Sequence, residues 1–224
     1  MRACAGVLLF VFFCHLAAAG ELTGEIQLAR KYTRRPVAPA VYSLRAAPVA
    51  EHASVTANEM DRVAVILTGV EETPAPAVTA TMNQRQRHFE PELLIVPVGS
   101  TVLFPNSDPV FHNIFSLSRP KSFDLGFYPS GQSRTVRFDR EGIIQVYCHL
   151  HPNMHGAIVV VAGSRFTQPD TRGVFSFPEL PAGQYELVVW HNTAGRFRRN
   201  VEIPSSGTIR QSFSIPLEEE LKGH

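Results

Sequence analysis

The chain has 224 residues, with 21 Lys and Arg against 20 Asp and Glu and a formal net charge of +1 at pH 7. A balance this close to neutral argues against nucleic acid or an anionic membrane surface as the main partner. The length allows one or two small domains, and no segment after the first 20 residues is apolar enough to cross a membrane.

Residues 1–19 are predicted to be a signal peptide that is removed from the mature protein. Arg2 precedes an apolar run at 7–13 that is too short to span a bilayer, and three alanines at 17–19 offer a cleavage site. An uncleaved membrane anchor is the alternative, which the short run disfavours. Export predicts a periplasmic mature protein without a transmembrane segment.

Removal of this leader leaves one cysteine. Cys4 and Cys14 lie in the leader, so Cys148 remains alone and has no partner for an internal disulfide. A free thiol in an oxidising compartment is a liability unless something occupies it, and a metal ion can do so because thiolate is the metal-binding form. A buried, inert cysteine is the alternative interpretation.

The rest of the sequence has an all-β pattern, because short strand-like runs are bounded by Gly and Pro. The acidic residues 217–222 are the one stretch with helical periodicity. Residues 20–77 contain predicted strands at 22–28 and 62–67, and residues 71–77 are predicted to be a linker or long loop. The pattern leaves open whether residues 20–77 form a partial sandwich or complete the domain that follows.

Residues 78–162 are dense in predicted strands, at 92–96, 101–104, 111–117, 133–138, 143–148 and 157–161. The last two flank a very short connection, which predicts a hairpin-like corner at one end of a β-sandwich. Residues 163–217 repeat the pattern, with predicted strands at 173–177, 185–190, 200–203 and 208–215. They predict a second, smaller β-sandwich, which a charged tail at 218–224 follows.

The segment around Cys148 carries the donors of a metal site. Cys148, His151 and Met154 have the spacing C-x2-H-x2-M directly after a predicted strand, and His112 stands upstream beside Asn113. Strand parity directs the Cys148 thiol toward the apolar interior. Two imidazoles, a thiolate and a weak axial thioether form the ligand set of a mononuclear blue-copper centre.

Other interpretations of these side chains compete with copper. Zinc prefers closed sets of Cys and His and rarely uses Met. His149 and His155 flank the ligands and leave open the binding of a second ion, although solvated surface histidines are the simpler interpretation. Met60 and Met82 are predicted to be packing residues.

A resemblance to a known family is carried by three segments, VPVGSTVLFPN at 96–106, FHN at 111–113 and YCHLHPNM at 147–154. They resemble the cupredoxins of the plastocyanin and amicyanin type, and bacterial periplasmic proteins labelled plastocyanin-like or methylamine utilisation proteins. The short Cys-to-Met loop is closer to that of amicyanin. The resemblance implies a Greek-key β-sandwich at 78–162 that binds one type 1 copper ion.

The resemblance also implies roles for particular residues. The copper ligands would be His112, Cys148, His151 and Met154. Asn113 would hydrogen-bond across to the ligand loop and hold the two ligand segments together. Electrons would leave through the partly exposed His151, which would lie within an apolar rim formed by Phe111, Leu150 and Pro152.

Residues 163–217 resemble carboxypeptidase regulatory-like, transthyretin-like β-sandwiches. The resemblance is carried by Asp170 and by GVFSF at 173–177, LPAGQY at 180–185 and VWH at 189–191. Modules of that kind are structural or adhesive and lack catalytic residues. His191 is therefore expected to be a structural or surface histidine.

Together these features predict an exported carrier of single electrons between redox protein partners of open identity. An enzyme is not expected, because the sequence shows no nucleophile triad or paired-carboxylate signature, and a copper ion without an open coordination position binds no substrate. One alternative is a periplasmic copper carrier or storage protein, which the few methionines disfavour. The other is a non-redox binding module that uses the C-terminal sandwich.

Overall fold

The computed structural model describes residues 19–29 and 58–215 of the chain. Residues 1–18 of the predicted leader, with Cys4 and Cys14, the predicted helix at 217–222 and the charged tail lie outside these residues. Within the described ranges, no helix is long and apolar enough to cross a membrane.

The described residues are almost entirely β-structure, as the sequence predicts. A 3-10 helix at Glu59–Arg62 precedes the second strand. The strands, in chain order, are β1 (Gly20–Leu28), β2 (Val63–Gly69), β3 (Thr79–Thr81), β4 (Asn83–Arg85), β5 (His88–Glu90), β6 (Leu93–Pro97), β7 (Ser100–Pro105), β8 (His112–Ser118), β9 (Lys121–Tyr128), β10 (Ser133–Phe138), β11 (Gly142–Tyr147), β12 (His155–Val161), β13 (Phe166–Thr167), β14 (Val174–Leu180), β15 (Gly183–His191), β16 (Gly195–Ile203) and β17 (Gly207–Ile215).

These strands form four larger sheets and one small hairpin. Sheet A has the order β14-β1-β17, and sheet B has the order β13-β2-β15-β16. Sheet C has the order β6-β12-β11-β8-β9, and sheet D has the order β10-β7-β3. The hairpin pairs β4 with β5.

Three buried apolar cores join successive sheets, so the described fold is a stack of four layers. The AB core contains Leu22 of sheet A and Leu187 of sheet B. The BC core contains Trp190 of sheet B and Leu93 of sheet C. The CD core joins sheets C and D and contains Phe138.

Two strands of the inner sheets, β2 and β12, are buried on both faces. In β2, Val63, Val65 and Leu67 belong to the AB core, whereas Ala64 packs in the BC core. Alternation of side chains along a strand sends successive residues to opposite faces. A strand between two cores therefore needs a continuous apolar run, which β2 and β12 have.

The two strands of residues 20–77 join the sheets of the C-terminal sandwich. β1 lies between β14, which is antiparallel to it, and β17, which is parallel. β2 lies between β13 and β15. Within the described residues, therefore, this region pairs with neither sheet C nor sheet D, and its apolar side chains complete the AB core. The exact domain boundaries stay a prediction.

The segment that contains sheets C and D is inserted into the C-terminal sandwich. Pro74, shortly after β2, forms an antiparallel bridge with Gly163, shortly after β12. Arg165 also donates hydrogen bonds to the carbonyl oxygens of Val70 and Glu71, at 2.9 and 3.0 Å. The two ends of the inserted segment thus lie side by side.

A partly buried ionic network lies where sheets B and C meet. The Nε and Nη2 atoms of Arg62 donate to Oε2 of Glu92 at 3.1 and 3.0 Å, and its Nη1 atom lies 3.3 Å from Oε1 of Glu59. His191 is fully buried, and its Nε2 atom lies 3.3 Å from Glu59. His191 is therefore a structural residue of this interface and not a surface histidine.

Replacing Arg62 with Met should lower the free energy of unfolding by about 2–3 kcal/mol, somewhat below the range for fully buried pairs. The variant keeps much of the aliphatic stem, but it leaves the carboxylates of Glu59 and Glu92 without their shared cation. Urea unfolding of both proteins measures the difference. Arg172→Met is the matched control, since the Arg172–Asp170 pair is largely exposed and should contribute less than about 1 kcal/mol. Equal losses in the two variants would contradict the expectation.

Candidate metal centre

Three of the predicted ligands converge at one end of sheet C. His112 is the first residue of β8, Cys148 directly follows β11, and His151 lies in the connection to β12. β8 and β11 are antiparallel neighbours, so the start of one and the end of the other lie at the same end of the sheet. Strand pairing thereby brings His112 to a loop that is distant in sequence.

The three donor atoms are spaced as they would be around a single ion. Cys148 Sγ lies 3.8 Å from His112 Nδ1 and 3.7 Å from His151 Nδ1, and the three ligand atoms lie within 4.8 Å of one another. Metal bonds of about 2.3 Å to sulfur and about 2.0 Å to nitrogen, opened by about 120°, separate the two donors by about 3.7 Å. The two sulfur–nitrogen distances therefore fit a trigonal metal site.

The loop after β11 folds back on itself through its own backbone. The Cys148 N–H donates to the Met154 carbonyl oxygen at 3.2 Å, and the Met154 N–H donates to the His151 carbonyl oxygen at 2.9 Å. The side chains of Cys148 and Met154 both belong to the CD core, and His112 is fully buried as well. His151 alone among the four is partly exposed. The Met154 backbone thus lies against Cys148 and His151, and its side chain is buried in the CD core.

Asn113 links the two segments that carry the donors. Its Oδ1 atom accepts a hydrogen bond from the backbone N–H of His149 at 3.0 Å, and its Nδ2 atom donates to Oδ1 of Asp124 at 2.7 Å. The Asn113 amide is fully buried, so water does not reach it directly. Asn113 therefore fixes the start of β8 against the loop that carries His151.

A buried carboxylate that was not among the predicted site residues contacts the Nε2 atom of His112, on the side of the ring away from Cys148. Asp108 Oδ2 lies 2.7 Å from His112 Nε2, on the opposite side of the ring from Nδ1. The backbone N–H groups of Gln86 and Arg87 donate to Asp108, the latter at 2.8 Å. Burial opposes ionisation of Asp108, but the hydrogen bonds from Arg87, His112 and Gln86 outweigh it and lower the pKa of the carboxyl group. The only feature of the sequence that pointed to this contact was the four-residue spacing from Asp108 to His112.

The electrostatic surroundings keep His151 in its metal-binding form. Burial, together with the nearby charges of His112 and Arg87, lowers the pKa of His151 below the ordinary value of 6.5. The imidazole is consequently neutral at pH 7, and a neutral ring nitrogen can bind a metal ion.

His149 and His155 point away from the cluster toward other partners. The His149 ring stacks on Phe115, with the ring centroids 3.8 Å apart, and its Nε2 atom lies 3.7 Å from Asp124. His155 Nε2 lies 3.5 Å from Glu92. In the part of the chain that the structure describes, His112, Cys148 and His151 are the one group of three or more His, Cys, Asp or Glu side chains that could hold a metal ion.

Exposed apolar side chains adjoin the donors in sequence. Phe111 precedes His112 and is 56% exposed, and Leu150 precedes His151 and is 48% exposed. Phe127 pairs with Asn113 across sheet C and is also 56% exposed. Large apolar side chains left in water beside a functional site are typical of a docking surface.

Comparisons with known proteins give structural likenesses to part of the chain. No protein-family model matches it, and no curated protein matches it. A purple cupredoxin from Nitrosopumilus maritimus is 29% identical, with a TM-score of 0.34, and the match covers 37% of this chain and 99% of that one. A copper-containing nitrite reductase from Thermus scotoductus is 24% identical, with a TM-score of 0.37, over 43% of this chain and 25% of that one. An amicyanin variant in the reduced state is 24% identical, with a TM-score of 0.34, over 43% of this chain and 99% of that one.

Proposed function

We propose that the protein is a type 1 copper protein that carries single electrons between redox partners. The observation that carries this proposal is the approach of the Cys148 thiol to two imidazoles at 3.7 and 3.8 Å in a largely buried site. A soft sulfur and two nitrogens suit both common oxidation states of copper. His112, Cys148 and His151 would form the trigonal set, and Met154 would be the weak axial ligand of one ion per chain.

Bound copper would supply a one-electron couple between Cu(I) and Cu(II). The contribution of the chain is to hold the donors in one arrangement through hydrogen bonds that do not involve the metal. Asp108 orients His112, Asn113 ties β8 to the ligand loop, and the CD core excludes water. Because donors fixed in this way need not rearrange when the charge of the ion changes, the site favours rapid electron exchange.

The burial of the donors favours transfer of an electron over transfer of the ion. His112 and Met154 are almost completely buried, so a partner protein could not take the ion directly from them. His151 is partly exposed, and Phe111 and Leu150, which precede His112 and His151 in the chain, are exposed as well. An electron could pass through the His151 ring to a docked partner. Since four protein ligands leave no position for a substrate, we propose a carrier and not an enzyme. The predicted leader supports a periplasmic location.

Addition of Cu(II) to the purified protein tests this proposal. We expect intense visible absorption from thiolate-to-copper charge transfer, saturating at one ion per chain, and a reversible one-electron wave in voltammetry. A colourless protein with reduced Cys148 would exclude the type 1 site. A coloured protein that hands its ion to a chelator rapidly, and shows no reversible wave, would instead support the copper carrier.

A further inference from the structure

We propose that Asp108 is a positioning residue that lowers the reduction potential of the copper site by holding a buried negative charge against His112. This inference rests on the proposed function. It concerns a residue that would not touch the ion and would act through the imidazole between them.

The Asp108–His112 pair is short and almost completely enclosed. Oδ2 and Nε2 lie 2.7 Å apart, Asp108 is 5% exposed and His112 is fully buried. Solvent and salt screen such a pair far less than they screen a surface pair. The negative charge is therefore only weakly screened from the ring that would bind the ion.

The carboxylate is held in place from the side opposite the ring. Both backbone N–H groups that donate to it come from the turn between β4 and β5, where Gln86 and Arg87 have left-handed φ values of 52° and 60°. The Asp108 N–H itself donates to Oδ1 of Asn106 at 3.0 Å, and the Asn106 amide nitrogen donates to the Val110 and Tyr128 carbonyl oxygens. With its oxygens and its backbone both bound, Asp108 has little freedom to turn away from His112.

The tautomer of His112 follows from these contacts. Nδ1 faces Cys148 Sγ and must offer a lone pair to an ion, so the ring proton lies on Nε2 and is donated to Asp108. A carboxylate that accepts this proton raises the basicity of the ring. Both the more basic ring and the negative charge stabilise Cu(II) more than Cu(I), because the interaction grows with the charge of the ion. Asp108 should therefore lower the reduction potential of the copper site.

Asp108→Asn tests the inference by removing the charge while keeping the shape of the side chain. We expect the ratio of Cu(I) to Cu(II) affinity to rise about tenfold, which corresponds to a potential about 59 mV higher for a one-electron couple. Asp108→Glu keeps the charge and should lie nearer to the wild type than Asp108→Asn does. Asp124→Asn is the control, because Asp124 bonds to Asn113 and not to a donor residue. In this variant the ratio of Cu(I) to Cu(II) affinity should change less than threefold.

A measurement on the unaltered protein guards against a variant that does not fold. In the Cu(I) form, ¹H–¹⁵N NMR should show a slowly exchanging proton on His112 Nε2, and its absence would overturn the inference. A coloured Asp108→Asn protein with the wild-type potential, or with a shift no larger than that of Asp124→Asn, would overturn it as well. Either result leaves the proposed function intact, whereas a wild-type protein that stays colourless with Cu(II) overturns the proposed function itself.

Discussion

Replacing Cys148 with Ser should abolish the intense visible absorption of the copper-loaded protein. The absorption requires a thiolate bound to Cu(II), and Cys148 is the one cysteine among the described residues. A serine hydroxyl is a hard, weakly acidic donor that does not replace the soft sulfur. Absorption spectra of the two proteins at equal copper concentration measure the change, and we expect nearly complete loss.

Met154→Leu is the variant to compare with Cys148→Ser. Leucine has nearly the same volume as methionine, so the CD core should tolerate it at a cost below about 1.5 kcal/mol. It removes only the thioether, which is the weak, long axial ligand of a blue-copper site. The colour should therefore remain in Met154→Leu. Retained colour in Cys148→Ser, or loss of colour in both variants despite intact folding, would contradict this division of roles.

Part of the site could be predicted from the sequence because it is local. Cys148, His151 and Met154 occupy one short loop, and the strand before it directs the thiol inward, which the burial of Cys148 bears out. The sequence offered His112 as a donor, but its approach to the loop depends on the pairing of β8 with β11, which the sequence alone does not establish. Asp108 was missed because its role depends on the turn at Gln86 and Arg87, which the sequence does not place beside it.

The fold class and many strands could be predicted because short apolar runs between turn residues persist throughout the chain. β9 was overlooked although Phe123, Leu125 and Phe127 alternate with smaller or polar residues, which is the ordinary signal of a half-buried strand. Strand partners are harder to predict, because alternation along β1 shows which face is apolar but not which strand lies beside it. One signal was present in β2, whose unbroken apolar run is expected of a strand that is covered on both faces.

A fragment with only residues 163–215 is expected not to fold. An independent C-terminal sandwich, as the sequence predicts for residues 163–217, would fold without the rest of the chain. β1 is the central strand of sheet A, and β2 lies between β13 and β15 in sheet B. Without them the AB core loses Leu22, Ile26, Val63, Val65 and Leu67, all of which are buried. Each such loss costs on the order of 2 kcal/mol or more, so the total exceeds the stability of an ordinary small domain.

The matched deletion variant keeps residues 19–74, replaces 75–162 with a short Gly-Ser linker and continues with 163–215. Because Pro74 bridges Gly163, a linker of a few residues can join the ends without strain. This protein should give a cooperative unfolding transition and dispersed amide signals in NMR spectra, whereas the 163–215 fragment should give neither. It should also be less stable than the full chain, because removal of sheet C uncovers Trp190 of the BC core. A folded 163–215 fragment would show instead that the C-terminal strands form a sandwich without β1 and β2, and that the non-redox binding module could act as an autonomous unit.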